Sequence, residues 1–346
     1  MNDVFSPTFA AFALVCLILL VLPFVPAFRE WQWPTDATAL PVAAAYAADI
    51  DHFARRLKAD ADARMGEGMP TGFEEFEVVE ASPGEGDWAA GGKRLLSLRG
   101  VESAGPIRST QPVYVEGNLR AGKGSALTAV YAAGDMRLGP STQVSDWAHA
   151  DGAMYFGEGC TALRRVSADV SIELAGGCWF ERLEAPEIRF GDGTQAPRLG
   201  LPPTEPAPLD KIPGAVRQSP LLVLVRGDCA LEAGKRYEGS LVVTGFLTIG
   251  AGAVLAGDVK ARKGLSVGPG AHVLGAITCE KRIYMFPGSV ARGPLICESD
   301  VLLGSGAVVG APDAPTTVSA NNMVVEEGVI AYGAVWAHEV GMVRVA

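Results

Sequence analysis

From Gly239 onward the apolar residues recur every six positions, in pairs separated by one residue: Leu241/Val243, Leu247/Ile249, Ala253/Leu255, Val259/Ala261, Leu265/Val267 and Ala271/Val273. The next two units continue with Ile277/Cys279, Ile283/Met285, Ser289/Ala291, Leu295/Cys297, Val301/Leu303 and Ala307/Val309, and only Ser289 among these sites is not apolar. A one-residue gap puts both members of a pair on one face of an extended segment. Three such segments make a unit of eighteen residues, which glycine marks in two registers: Gly239, Gly257, Gly275, Gly293, and Gly252, Gly270, Gly288, Gly306. The pattern predicts an all-β fold, a parallel triangular β-helix with about 18 residues per coil. Its third side admits a second inward register, because Val254, His272, Val290 and Val308 align as well.

A single coil is not viable. Roughly six inward side chains bring about 1.5 to 3 kcal/mol each, while ordering eighteen residues costs about 1 to 2 kcal/mol apiece. Stacking at about 4.8 Å supplies the rest by pairing backbones and covering both faces of each apolar layer. After Gly306 the matching glycine is Gly328, twenty-two residues on, which places a four-residue insertion near Pro312–Pro315. The coil then resumes with Val335 and Ala337 inward and runs to Arg344-Val345-Ala346. An end left uncapped there offers unpaired backbone groups to another copy, and Trp336, Val340 and Met342 are the candidate self-association residues.

Upstream, Val113–Gly191 carries a looser repeat, with Gly122, Gly139 and Gly157 seventeen and eighteen apart and ladders Met136/Met154/Ile172 and Leu138/Phe156/Leu174. The boundaries read as an irregular β region at 67–193, a Pro-rich connection at 194–220 and the regular β-helix at 221–346. Pro41–Met65 reads as a membrane-proximal amphipathic helix within 35–66, its apolar stripe formed by Val42, Tyr46, Ile50, Phe53, Leu57, Ala61 and Met65.

Phe9 to Phe28 is twenty residues without a charge, the length of a bilayer-crossing helix. Phe9, Leu14, Leu17, Leu20, Phe24 and Phe28 are its lipid-facing candidates, with Trp31 and Trp33 as interfacial aromatics, so 1–34 is expected to anchor the chain in a bilayer. The segment lacks a basic leader and a nearby small-x-small site, which favours an uncleaved anchor over a signal peptide. Arg29, Arg55, Arg56 and Lys58 follow the span and no Lys or Arg precedes it, favouring a cytoplasmic C-terminal region at a bacterial inner membrane. Cys160/Cys178 and Cys279/Cys297 are each eighteen apart and read as stacked, reduced interior thiols. A net charge of −10 without a basic stripe argues against nucleic acid as a partner.

The stretch EGSLVVTGFLTIGAGAVLAGDVKARKGLSVGPGAHVLGAI, Glu238 to Ile277, resembles the bactofilins, and the likeness continues more weakly through Val309. That resemblance implies a bacterial cytoskeletal scaffold whose β-helix assembles end to end without nucleotide, often on the inner membrane, where it positions envelope-building machinery. Its partners would be further copies of itself and envelope or secretion proteins. The long upstream region departs from the family pattern, and could cover one rod end and limit assembly to dimers.

Hexapeptide acyltransferases also wind triangular coils, so periodicity alone leaves an enzyme open. Their chemistry needs a general-base His beside a cleft, or three His around a metal. Here His52, His149, His272 and His338 are scattered. Gly250-x-Gly252 and Gly304-x-Gly306 are explained as corners, and Gly91-Gly92-Lys93-Arg94 lacks the remaining positions of a phosphate-binding loop. No catalytic, cofactor or metal residue is expected. A periplasmic structural subunit of an export complex is a third reading, differing in topology.

Overall fold

Paired apolar positions become stacked rungs. The computed structural model describes residues 7–32, 50–65, 76–79, 86–88, 92–191 and 200–344, and it separates into two units, Met1–Ala48 and Asp49–Ala346. The second is a parallel β-solenoid of about 14 turns with about 18 residues per turn. Every inward residue predicted from Leu241 to Val309 is buried. Ser289 is tolerated because its hydroxyl donates to the Phe286 carbonyl at 2.7 Å. On the third side Ala253/Leu255 and their equivalents face the core; Val290 and Val308 are also buried, in a separate outer cluster with Ile330 and Tyr332.

The two glycine registers have different physical causes. A methyl group on Gly293 would lie 2.6 Å from the carbonyl of Gly275, one coil below, so this register exists for close backbone stacking. Gly252, Gly270, Gly288 and Gly306 have φ between +62° and +67° with open space around them, so that register exists for left-handed corners. Corner carboxylates and amides complete the stack: Asp258 Oδ1 accepts from the Ala276 amide at 2.8 Å and Asp228 Oδ1 from the Phe246 amide at 2.8 Å. At the insertion Ala311 and Ala314 bridge each other, and the step lengthens so that Val308 pairs with Ile330.

Residues 94–190 form another stack of the same kind, the first along the chain and more ordered than its sequence suggests; the stack from Leu222 to Val343 is the second. One interior ladder crosses both stacks. It runs Leu95, Val113, Val130, Ala148, Val166, Leu183 through the first. It crosses to Val335, then continues Val318, Leu295, Ile277, Val259, Leu241, Val223 through the other. All thirteen are buried in one continuous core. The crossing is antiparallel: strand Trp179–Phe190, the last coil of the first stack, pairs with strand Val329–Val343, the last of the second.

This head-to-head joint explains the long connection. After Phe190 the chain must reach Leu222 at the far end of the second stack, six strand pairings from the joint, which is about 29 Å at roughly 4.8 Å each. Part of the Pro-rich segment then closes that end. Leu209 and Ile212 are buried against the core, Glu205–Pro206 pairs with Lys235–Arg236, and Ala215–Ser219 folds back antiparallel on Leu222–Val225.

The helices depart from expectation in two ways. In the first unit, α1 (Pro7–Val21) is followed by a 3-10 turn at Leu22–Phe24 and then by α2 (Val25–Gln32). Pro23 and Pro26 remove two backbone donors at this break, so the expected single span is divided. At 1.5 Å per residue α1 rises about 22 Å, short of a hydrocarbon core of about 30 Å, and among the described residues no helix is long and apolar enough to cross a membrane. Leu14, Leu17, Leu20, Phe24 and Phe28 are each more than half exposed; Phe9 lies in α1, Trp31 in α2, and Trp33 outside the described residues.

The second departure is α3 (His52–Met65), the described part of the helix predicted from Pro41. Val42 and Tyr46 lie outside the described residues. The buried face is Ala54, Leu57 and Ala61, packed on Leu96, Tyr114, Ala129, Tyr131 and Trp147 of the first stack. Phe53 and Met65 are exposed. Phe53 instead lies under the Arg165 guanidinium at 5.0 Å.

Candidate functional site where the two stacks meet

The edge expected to be open is occupied within the chain. Trp179 pairs with Met342 and Arg182 with Trp336, while Val340 pairs with Asn322 on the other side. The Arg182 guanidinium sits 5.0 Å from the Trp336 ring centre, and Trp336 stacks on His338 at 4.0 Å. A side chain on Gly341 would be driven into the Phe180 ring. Trp336, Val340 and Met342 therefore belong to the joint or the coil beneath it.

Beside the joint, the outer face of the first stack carries a ladder of a different character: Tyr114, Tyr131, His149, Ser167 and Glu184, on successive coils. Tyr114 and Tyr131 stack at 5.1 Å under α3, and His149 continues the column 5.1 Å from Tyr131. Beside the start of α3 a cleft of about 350 Å³ opens, lined by Asp51 just before the helix, by His149, Ser167, Asp169 and Glu184 from the first stack, and by Pro315 from the second.

His149 is buried. Its Nδ1 is 2.8 Å from Ser167 Oγ; its Nε2 is 3.3 Å from Asp151 Oδ1 and 3.9 Å from Asp169 Oδ1. Asp151 and Asp169 occupy the same corner on consecutive coils, so the repeat itself brings two carboxylates together. Lys58 of α3 donates to Asp151 Oδ2 at 2.7 Å, and the Tyr131 hydroxyl donates to Oδ1. Burial pushes the Asp151 carboxyl up, but the hydrogen bonds from Lys58 and Tyr131 outweigh it and hold the group below its ordinary range. The hydrogen bond to Asp151 in turn raises Lys58, and burial followed by that carboxylate raises Tyr131. Asp151 is thus an anion at neutral pH, and one imidazole and two carboxylates converge on one point.

The sequence reading missed this group because it looked for histidines near one another. The available signal was His149-x-Asp151 followed one coil later by Asp169. Of the other histidines, His272 is buried between Val254 and Val290 with Nδ1 unpartnered, and burial, with Arg292 nearby, lowers its pKa. His338 lies 3.0 Å from Ser319 Oγ. The five core cysteines are free thiols, with Cys279 and Cys297 directly in register.

Comparisons with family models, curated proteins and solved structures find no match to this chain. The fold stands on its own geometry as a β-solenoid.

Proposed function

We propose that the protein is a membrane-attached, self-associating β-solenoid scaffold of bactofilin type, organising an envelope or secretion assembly at a bacterial inner membrane. The observation that carries the reading is the interior ladder from the coil of Leu95 to that of Val223: a long stack with an apolar core, whose sides are regular strands, is suited to presenting repeated surfaces. The likeness of Glu238–Ile277 to bactofilins points the same way. The exposed apolar side chains of α1 and α2 supply attachment to lipid, by insertion of a broken helix pair.

Because the joint occupies one end of the second stack, association is assigned to the other. Strand Ala215–Ser219 pairs on one side only among the described residues, and Val216 within it and Leu221 just after it are exposed. Its free edge is a template for the same strand of a second copy. Light scattering on the detergent-solubilised chain should show species that grow with concentration, and Val216→Pro should return them to monomer. A monomer at every concentration sinks self-association. Liposome flotation that survives Leu17→Asp with Leu20→Asp sinks the attachment.

A further inference from the structure

We infer that His149, Asp151 and Asp169 form a divalent transition-metal site of the Zn²⁺ class, with its open position facing the cleft beside the joint. Three donor atoms, Nε2 of His149 and one oxygen from each carboxylate, lie within 4.8 Å of one another. Zinc bonds to imidazole and carboxylate are about 2.0 to 2.2 Å, so neighbouring donors in a tetrahedral site are about 3.3 Å apart. The His149–Asp151 separation is already 3.3 Å, and His149–Asp169 is 3.9 Å. Asp169 is exposed, so its side chain is free to rotate and close the separations that remain, all within 4.8 Å.

The surroundings favour a metal over the other reading of these atoms. Ser167, His149 and Asp151 resemble a nucleophile, base and orienting acid, but Ser167 sits in a strand paired on both sides, with His149 and Glu184. The ladders therefore engage the nearby backbone amides that an oxyanion would require. For a metal, the same contacts are support. Nδ1–H donated to Ser167 Oγ leaves the Nε2 lone pair directed at the carboxylates, and Lys58 with Tyr131 fixes the Asp151 carboxylate. Two like charges stacked on adjacent coils repel, and a divalent ion between them removes that repulsion. A mixed nitrogen and oxygen set selects Zn²⁺ or a similar ion over Mg²⁺ and Ca²⁺, which prefer oxygen alone.

The test uses the full chain in detergent, stripped with EDTA and titrated with Zn²⁺ against a chromogenic chelator, with Co²⁺ as the spectroscopic probe. The expected result is one Zn²⁺ per chain, intense visible Co²⁺ bands of tetrahedral type, and at least tenfold weaker binding in both His149→Ala and Asp169→Asn. Ser167→Ala should weaken binding by about tenfold through loss of imidazole orientation. Asp169 is exposed, so Asp169→Asn remains informative should His149→Ala fail to fold. Absence of Zn²⁺ binding overturns the assignment. Unchanged affinity in Asp169→Asn does so too, since it removes Asp169 from the ligand set, and equal affinity for Mg²⁺ overturns the choice of metal.

Discussion

In the second stack each coil from Val223 to Val309 repeats the last at a step of 18, so Val259 lies between Leu241 and Ile277 and the corner glycines superimpose. In the first, Val113 pairs with Val130 and Val130 with Ala148, steps of 17 and 18, and the strands carry bulges at Val144/Trp147 and Ala162/Arg165. Strict repetition superimposes the corners, so that backbone touches backbone at Gly257, Gly275 and Gly293. The looser stack keeps such contacts at Gly139 and Gly157 but gives up the strict step, and gains an outer face on which α3 packs and the His149 cluster is assembled. Regularity serves the core, and departures from it make room for chemistry.

The sharpest way to break this contrast lies in the glycines. Gly293→Val forces a side chain into the carbonyl of Gly275, and should cost about 4 kcal/mol or more, read as loss of soluble protein or collapse of the thermal midpoint. Gly288→Ala, five residues away in the other register, meets no atom within 4 Å and strains only φ. Its cost should be about 1 to 2 kcal/mol. Equal effects would mean that both registers serve the turn and that close stacking is irrelevant.

The same contrast explains what could be read in advance. A strict six-residue period exposes the inward columns from Leu241 to Val309 and the insertion before Pro315, because each inward site has one neighbour above and one below at a fixed step. Steps of 17 blur the first stack into a weak pattern, although Met136/Met154/Ile172 still registers as a true ladder. The joint left no such trace. Pairing between Trp179–Phe190 and Val329–Val343 is antiparallel and distant in sequence, and no period connects those strands. The stripe across Ile50, Leu57 and Ala61 is buried as read, and it fails at Phe53 for a different reason: Ala54 is small enough to meet the sheet, so the helix turns Phe53 outward toward Arg165.

Next in size is the joint, where the two stacks depend on each other. Leu183→Ala removes a fully buried side chain from the rung that faces Val335, and should cost about 2 to 4 kcal/mol. Hydrogen exchange should then rise in 179–190 and 329–343 together. A rise confined to the first stack would show two separable cores. Smaller still, Leu57→Ala loosens only the cover over the irregular stack, with an expected cost of about 2 kcal/mol. Trp147, which packs against that face, should become more exposed by fluorescence while unfolding of the second stack keeps its midpoint.

The smallest effect separates the stacks by charge. Arg120 and Glu102 in the first stack, 3.1 Å apart on adjacent coils, are both exposed, and Arg120→Ala should change stability by less than about 0.5 kcal/mol. Arg282 and Asp300 are the equivalent pair in the second at 2.9 Å, but Asp300 also accepts from Asn322 at 3.2 Å, tying the coil before the insertion to the coil after it. Burial raises the Asp300 carboxyl, and the hydrogen bonds from Asn322 and Arg282 outweigh it, so the folded value lies below the unfolded one. A group depressed in this way adds stability above its unfolded pKa of about 3.9, and loses that contribution as pH falls through the folded value. Asp300→Asn should therefore lower stability at neutral pH by less than about 1 kcal/mol, and the gap from the parent chain should narrow as the medium is acidified below about pH 4. A gap that stays constant down to about pH 2 would assign the whole effect to the contact with Asn322 and none to charge.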